Sequence, residues 1–173
     1  NPVPDGTAVT FTAEGGNIQS QCTTTTTATE GGVCTVNYRS SNPRPSNGRV
    51  TVLAKAIGEE SFVDANGNGS FDNGENFTDL PEPFRDDSEN GTYEAGEDFF
   101  DFNNNQTRDA ADTFFNGVLC NDNTGRCAGP TSTGIALQNL VILSGNTATI
   151  TRPDGSAFPA LTGLFGYALT ADI

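Results

Sequence analysis

The whole net charge of this chain lies in one third of its length. Between Glu59 and Asp112 there are 16 acidic residues against two basic ones, Arg85 and Arg108. That segment carries −14, while the remaining residues balance at six acidic and six basic. Carboxylates packed this densely repel one another, so the segment either stays disordered or is neutralised by cations. The same balance excludes nucleic acid as a partner, because phosphate contacts need clustered Lys and Arg.

The segment holds a pattern that takes cations. Residues 64–75 read DANGNGSFDNGE, and residues 86–97 read DDSENGTYEAGE. Calcium takes six to eight oxygens, and an EF-hand loop supplies them from positions 1, 3, 5, 7, 9 and 12, with Gly at position 6 for the sharp turn. The first stretch fills every slot with Asp64, Asn66, Asn68, Ser70, Asp72 and Glu75, and Gly69 stands at position 6. The second does so with Asp86, Ser88, Asn90, Thr92, Glu94 and Glu97, and with Gly91. Phe71 and Tyr93 take position 8 as apolar anchors. Beyond the loops, ENFTD and EDFFD place Phe77 with Phe99, and Asp79 with Asp101, at equivalent positions.

A third copy, DFNNNQTRDAAD, runs from 101 to 112. It offers Asp101, Asn103, Asn105, the Thr107 carbonyl, Asp109 and Asp112. Gln106 replaces the glycine, Arg108 replaces the anchor, and Asp112 replaces the longer glutamate. The expectation is a weaker site, or a shared one in which Asp101 also serves the second loop. Gly74 and Gly96 stand where an exiting helix would need a helix former, and Pro81 and Pro83 follow the first loop. These are EF-hand-like loops without helices, so the calcium is expected to be structural: two sites, with a third in the weaker copy. Asn and Ser at positions 3 and 5 lower the ligand charge and point to the extracellular affinity range, about 10⁻⁴ to 10⁻³ M.

On either side the sequence reads as strands. TAVTFTAEGG alternates Val9 and Phe11 against Thr, and RVTVLAKAIG alternates Val50, Val52, Ala54 and Ala56. GGVCTVNYRS alternates as well, and the Thr23–Thr27 run fits a strand or a loop. After the acidic segment, FFNGVLC, TGIALQNLVILSG and TATITRP return to strand character. A tail closes the chain with Leu161, Phe165, Tyr167, Leu169, Ala171 and Ile173 on one face. The expected fold is all-β, an antiparallel sandwich of residues 1–58 and 114–152 carrying an irregular insertion over 59–113 and a tail strand over 153–173.

The four cysteines allow three pairings. Cys22–Cys34 and Cys120–Cys127 close the shortest loops and are the expected disulfides, which suits a secreted protein. The alternative is four reduced thiols. A zinc site has no histidine and no CxxC to build on. No Met is present, and no apolar run is long enough to span a membrane or to serve as a signal peptide, which points to a mature fragment or an excerpt of a longer protein.

The stretches NPVPDGTAVTFTAEGG, TEGGVCTVNYRSS and GRVTVLAKA resemble the bacterial Ig-like repeats of invasin- and intimin-type surface adhesins. The resemblance covers about residues 1–57. Those repeats carry an NPVP turn, a V-x-F strand, a T-x-x-G-x-A-x-V hairpin strand and a final strand ending in V-x-A. The acidic insertion and the cysteine of TEGGVC depart from that plan. The resemblance implies an Ig-like β-sandwich used as a stalk or display module on a bacterial surface. It also implies a strand before the NPVP turn, where this sequence starts. The tail FGYALTADI has the shape of that strand. It is expected to be donated to the next repeat or to a neighbouring subunit, to fold back on its own domain, or to serve as this domain's last strand.

Catalysis has little to work with. Without histidine there is no Ser-His-Asp or Cys-His arrangement, and the paired carboxylates fall at metal-ligand spacing rather than forming a glycosidase pair. The expectation is a non-enzymatic, extracellular or cell-surface protein whose partners are calcium and neighbouring copies or repeats. It would be a calcium-stiffened adhesin repeat, a filament subunit joined by strand donation, or a carbohydrate- or ice-binding adhesin tip.

Overall fold

The structure, a computed structural model, describes residues 3–27, 31–120 and 124–143. Its strands are β1 (Ala8–Ala13), β2 (Asn17–Ile18), β3 (Gln21–Thr23), β4 (Tyr38–Arg39), β5 (Arg49–Gly58) and β6 (Thr133–Ile142). Four of them form a sheet in the order β3-β1-β5-β6, and β2 pairs with β4 in a second, smaller sheet. All pairing within the sheets is antiparallel. Among the described residues there is no α-helix, only a 3₁₀ turn over Gly125–Ala128. None of the helical structure is long and apolar enough to cross a membrane. The chain is therefore all-β, as a sandwich requires. The expected strand TATITRP and the tail over 153–173 lie outside the described residues.

Strand β5 organises the molecule. Its β-branched and apolar residues suit a half-buried pleated surface, and it pairs with β6 from Arg49 opposite Ile142 to Gly58 opposite Thr133. The acidic insertion therefore leaves the sheet at Gly58 and re-enters it directly opposite. Period-two alternation gives the sheet two faces. One carries Val50, Val52, Ala54 and Ala56, continued by Val9 and Phe11 and by Ile135, Leu137 and Val141. The other carries Thr51, Leu53, Lys55 and Ile57, with Gly134, Ala136 and Gln138 across the ladder.

The second face holds the insertion. Thr51 Oγ1 donates to the Asp86 carbonyl at 3.1 Å, and Asp86 N donates to Gln138 Oε1 at 2.8 Å. Lys55 Nζ sits 5.2 Å from the centroid of Phe100. Phe100 also lies against Gly134, where a Cβ would come within 2.8 Å of the ring. Arg49 grips Glu89 through Nε and Nη2.

Two expected strands differ. FFNGVLC does not form one. Phe115 turns into an aromatic core with Phe62, Phe71 and Phe77, and only Cys120 makes a bridge, to Phe71. The disulfide Cys120–Cys127 packs on that aromatic core, and strand structure resumes at Thr133. GGVCTVNYRS is broken as well. The Cys22–Cys34 disulfide and the Thr25–Val33 bridge hold its start beside β3, and only Tyr38–Arg39 pairs further on, with β2. Both disulfides are the expected ones.

Candidate metal centre

The first two loops are built by the same six hydrogen bonds. The position-1 aspartate accepts the N–H of positions 5 and 6: Asp64 from Asn68 (3.1 Å) and Gly69 (2.8 Å), Asp86 from Asn90 (3.1 Å) and Gly91 (2.6 Å). The position-5 asparagine accepts the N–H of position 7: Asn68 from Ser70, Asn90 from Thr92, at 2.8 and 2.7 Å. The position-12 glutamate accepts the N–H of positions 2 and 9: Glu75 from Ala65 (2.7 Å) and Asp72 (3.0 Å), Glu97 from Asp87 and Glu94 (both 2.9 Å). Finally, its own N–H donates to the position-9 carbonyl at 3.0 and 3.1 Å. Ser88 adds its hydroxyl to Asp86 Oδ1 at 3.2 Å.

The third loop makes three of these six bonds within its own sequence and the other three through a glutamate from elsewhere. Asp101 accepts from Asn105 (3.0 Å) and Gln106 (2.7 Å), and Asn105 accepts from Thr107 (2.7 Å). The carboxylate that accepts Phe102 N (2.7 Å) and Asp109 N (3.1 Å) belongs to Glu82, whose own N–H donates to the Asp109 carbonyl. In these bonds Glu82 stands where the sequence pattern placed Asp112. Glu82 reaches the closing position with a longer side chain, and Asp112 instead accepts from Phe114 N and Asn116 Nδ2. Both oxygens of Asp101 accept N–H groups of the third loop. Asp79 accepts the N–H groups of Asp112 (3.2 Å) and Thr113 (2.8 Å).

Position 6 shows why glycine belongs there. Gly69 and Gly91 have φ of +79° and +77°, the left-handed region that favours glycine. Gln106 adopts φ +64° at the same place, carrying a Cβ where that geometry disfavours one.

A sequence signal for Glu82 existed beyond the loops. Glu-x-Phe-x-Asp occurs at 60–64, 75–79, 82–86 and 97–101. These segments pair antiparallel, Phe62 with Phe77 and Phe84 with Phe99. Antiparallel pairing sets the glutamate of one segment beside the aspartate of the other at both ends. The first pair buries a cluster in which Phe71 stacks on Phe115 at 4.6 Å, with Phe62 and Phe77 edge-on. The second holds Tyr93 edge-on to Phe84 and Phe99.

Glu60, Glu75, Glu82 and Asp86 are buried. Buried carboxylates are costly unless hydrogen-bonded. Burial works to raise the pKa of Asp86, but the N–H groups of Gly91 and Asn90, the Ser88 hydroxyl and Glu89 N–H outweigh it and hold the carboxyl below its usual value. Glu60 goes the other way. Burial raises it, the N–H groups of Leu80 and Asn116 oppose, and the charges of Asp79 and Asp112 add to the rise.

Among the described residues, no three His, Cys, Asp or Glu side chains gather into a preformed metal cluster. The loop carboxylates are instead spread over backbone N–H groups and asparagine amides. Asn66 and Asn68 both donate Nδ2 to Asp72 Oδ2 (2.7 and 2.8 Å), and Asn103 and Asn105 do the same to Asp109 (2.6 and 2.9 Å). An amide NH₂ and a cation are alternative ways to neutralise those oxygens. A half-turn of each amide would present its oxygen instead. The donor set, all oxygen with one closing glutamate per loop, fits a hard cation.

No protein-family model, no curated protein and no solved structure matches this chain.

Proposed function

We propose that this protein is an extracellular structural module: an Ig-like β-sandwich repeat of a bacterial surface adhesin or stalk, stiffened by calcium held in its acidic insertion. The observation that carries the reading is the closure of all three loops by one glutamate each, Glu75, Glu97 and Glu82, in the same hydrogen-bonded geometry. Calcium at these loops neutralises the −14 segment. The bonds from Thr51 and Gln138 to Asp86 would pass that rigidity to the sheet. The disulfides suit an oxidising compartment. Calcium titration by calorimetry, with a thermal melt in EDTA, tests it. The expected result is a heat of binding and a melt lowered by chelation. No heat and an unchanged melt would overturn the calcium reading.

A second reading, a filament subunit joined by strand donation, is favoured by the apolar sheet face. Leu137 on β6 is 74% exposed. A groove of about 240 Å³ runs along that part of the sheet beside Val9, Ala54 and Ala56. In this reading the tail of one subunit adds to a neighbour's sheet. Deleting residues 161–173 should then abolish head-to-tail assembly, and assembly that survives the deletion rules donation out.

A further inference from the structure

The paired Glu-x-Phe-x-Asp segments have four ends, and the three loops account for three of them. At the fourth end Glu60 faces Asp79. We propose that this end is a fourth site for a divalent oxygen-seeking cation, discontinuous in sequence, formed by Asp79, Asp112, the Phe114 carbonyl, Asn116 and Glu60. The proposal rests on the calcium reading of the three loops and extends it to a set of residues that no single continuous loop contains.

All six loop bonds recur there. Asp79, as position 1, accepts from Asp112 and Thr113, which stand as positions 5 and 6. Asp112 Oδ1 accepts Phe114 N at 2.9 Å, as Asn68 accepts Ser70. Glu60 accepts Leu80 N (2.7 Å) and Asn116 N (2.9 Å), positions 2 and 9. Glu60 N donates to the Asn116 carbonyl at 3.0 Å. Thr113 even repeats the left-handed backbone of position 6, at φ +72°. The chain breaks off after Leu80, makes the whole second pair and third loop over residues 81–109, and returns at Ala110. Phe115 then takes position 8, which explains its stacking on Phe71, the anchor of the first loop.

Loop geometry alone does not make a site. The independent observation is Asn116. It is 5% exposed, its Nδ2 reaches Asp112 Oδ2 at 3.4 Å, and its Oδ1 is buried with no hydrogen-bond partner. A buried amide with one end unpaired is rare in folded proteins and calls for a partner outside the chain, such as an ion or its water. Turned end for end, the amide presents its oxygen beside the Asp112 carboxylate, where position 9 of the template supplies a ligand, and its NH₂ takes the place beside Gly129. A cavity of about 450 Å³ opens at this place, lined by Asp112, Asn116 and the small side chains of Ala110 and Ala111. It gives an ion and its water a route in. Three carboxylates, Glu60, Asp79 and Asp112, match the three of each continuous loop.

Native mass spectrometry of the full chain in millimolar calcium tests the count. Four bound ions are expected, falling to three in Glu60→Gln and in Asp112→Asn. Asp112 is exposed, so the second variant keeps the test open where the first fails to fold, and circular dichroism reports the fold of each. Three ions in the parent protein, or an undiminished count in Asp112→Asn, overturns the fourth site while leaving the loops intact. No bound calcium at all overturns the loop reading as well.

Discussion

Arg108 holds its guanidinium 4.8 Å above the Phe84 ring and 5.1 Å from that of Tyr93. It occupies the place that Phe115 takes in the first pair, where Phe115 meets Phe62 at 5.4 Å and Phe71 at 4.6 Å. Both residues follow a left-handed position-6 residue by two. The second pair has thus exchanged its fourth ring for a cation on the faces of two others.

That exchange sets the first prediction. Arg108→Ala should destabilise the protein by about 1–2 kcal/mol, the range of a partly desolvated cation–π contact, as measured by urea unfolding. Arg108→Phe should restore most of the loss by rebuilding the four-ring cluster. A Phe variant no better than Ala would mean the site does not accept a ring.

Glu82 gives a prediction that a pattern search would miss. Glu82→Gln should remove calcium from the third loop, although residue 82 lies outside 101–112. Loss of an outer-shell partner typically costs about 10–100-fold in metal affinity, and a ligand should cost at least that. Calorimetry should show one site lost, with the first two loops retaining their heats. An unchanged third site would return the closing role to Asp112.

The backbone at position 6 can be tested without touching a ligand. Gly69→Ala should weaken the first loop, since a left-handed non-glycine residue costs about 1–2 kcal/mol. Gln106→Gly should gain part of that amount in the third. Thermal melts at fixed calcium report both, and a Gln106→Gly protein less stable than its parent would contradict the strain.

The calcium-free protein should show an acid-labile contribution from Asp86. Its folded pKa is depressed, so its contribution is full above the ordinary aspartate value near 3.8. It is lost as pH falls from there through the lower folded value. Glu60, raised in the fold, works in the opposite sense: its charged form is disfavoured, so that penalty fades as pH falls. Asp86→Asn should flatten the low-pH decline in denaturation midpoint. An equally steep decline in the variant would place the acid sensitivity elsewhere.

What could be read in advance followed from range. A twelve-residue loop closes on itself, so Asp64 and Glu75, or Asp86 and Glu97, are set by local spacing. Strand β5 and most of β6 were legible for a similar reason: alternation is a local property, and Val50 to Ala56 carry it without interruption. Cys22–Cys34 and Cys120–Cys127 followed because short loops close most readily. FFNGVLC misled because an apolar run does not say what it packs on. Phe115 is apolar to complete an aromatic cluster, not to line a sheet.

By itself the sequence determined where the negative charge lies, which residues offer oxygens at cation-ligand spacing, and that β1, β5 and β6 are strands. It did so because charge, loop spacing and alternation act between near neighbours. Only the tertiary structure decided that Glu82 closes the third loop, that Glu60 meets Asp79, and that the insertion lies on the Thr51 face of the sheet. Those relationships depend on antiparallel pairing of segments far apart in the chain. Phe62 pairs with Phe77 around Phe71, and Phe84 with Phe99 around Tyr93, and no local pattern records which partner each will find.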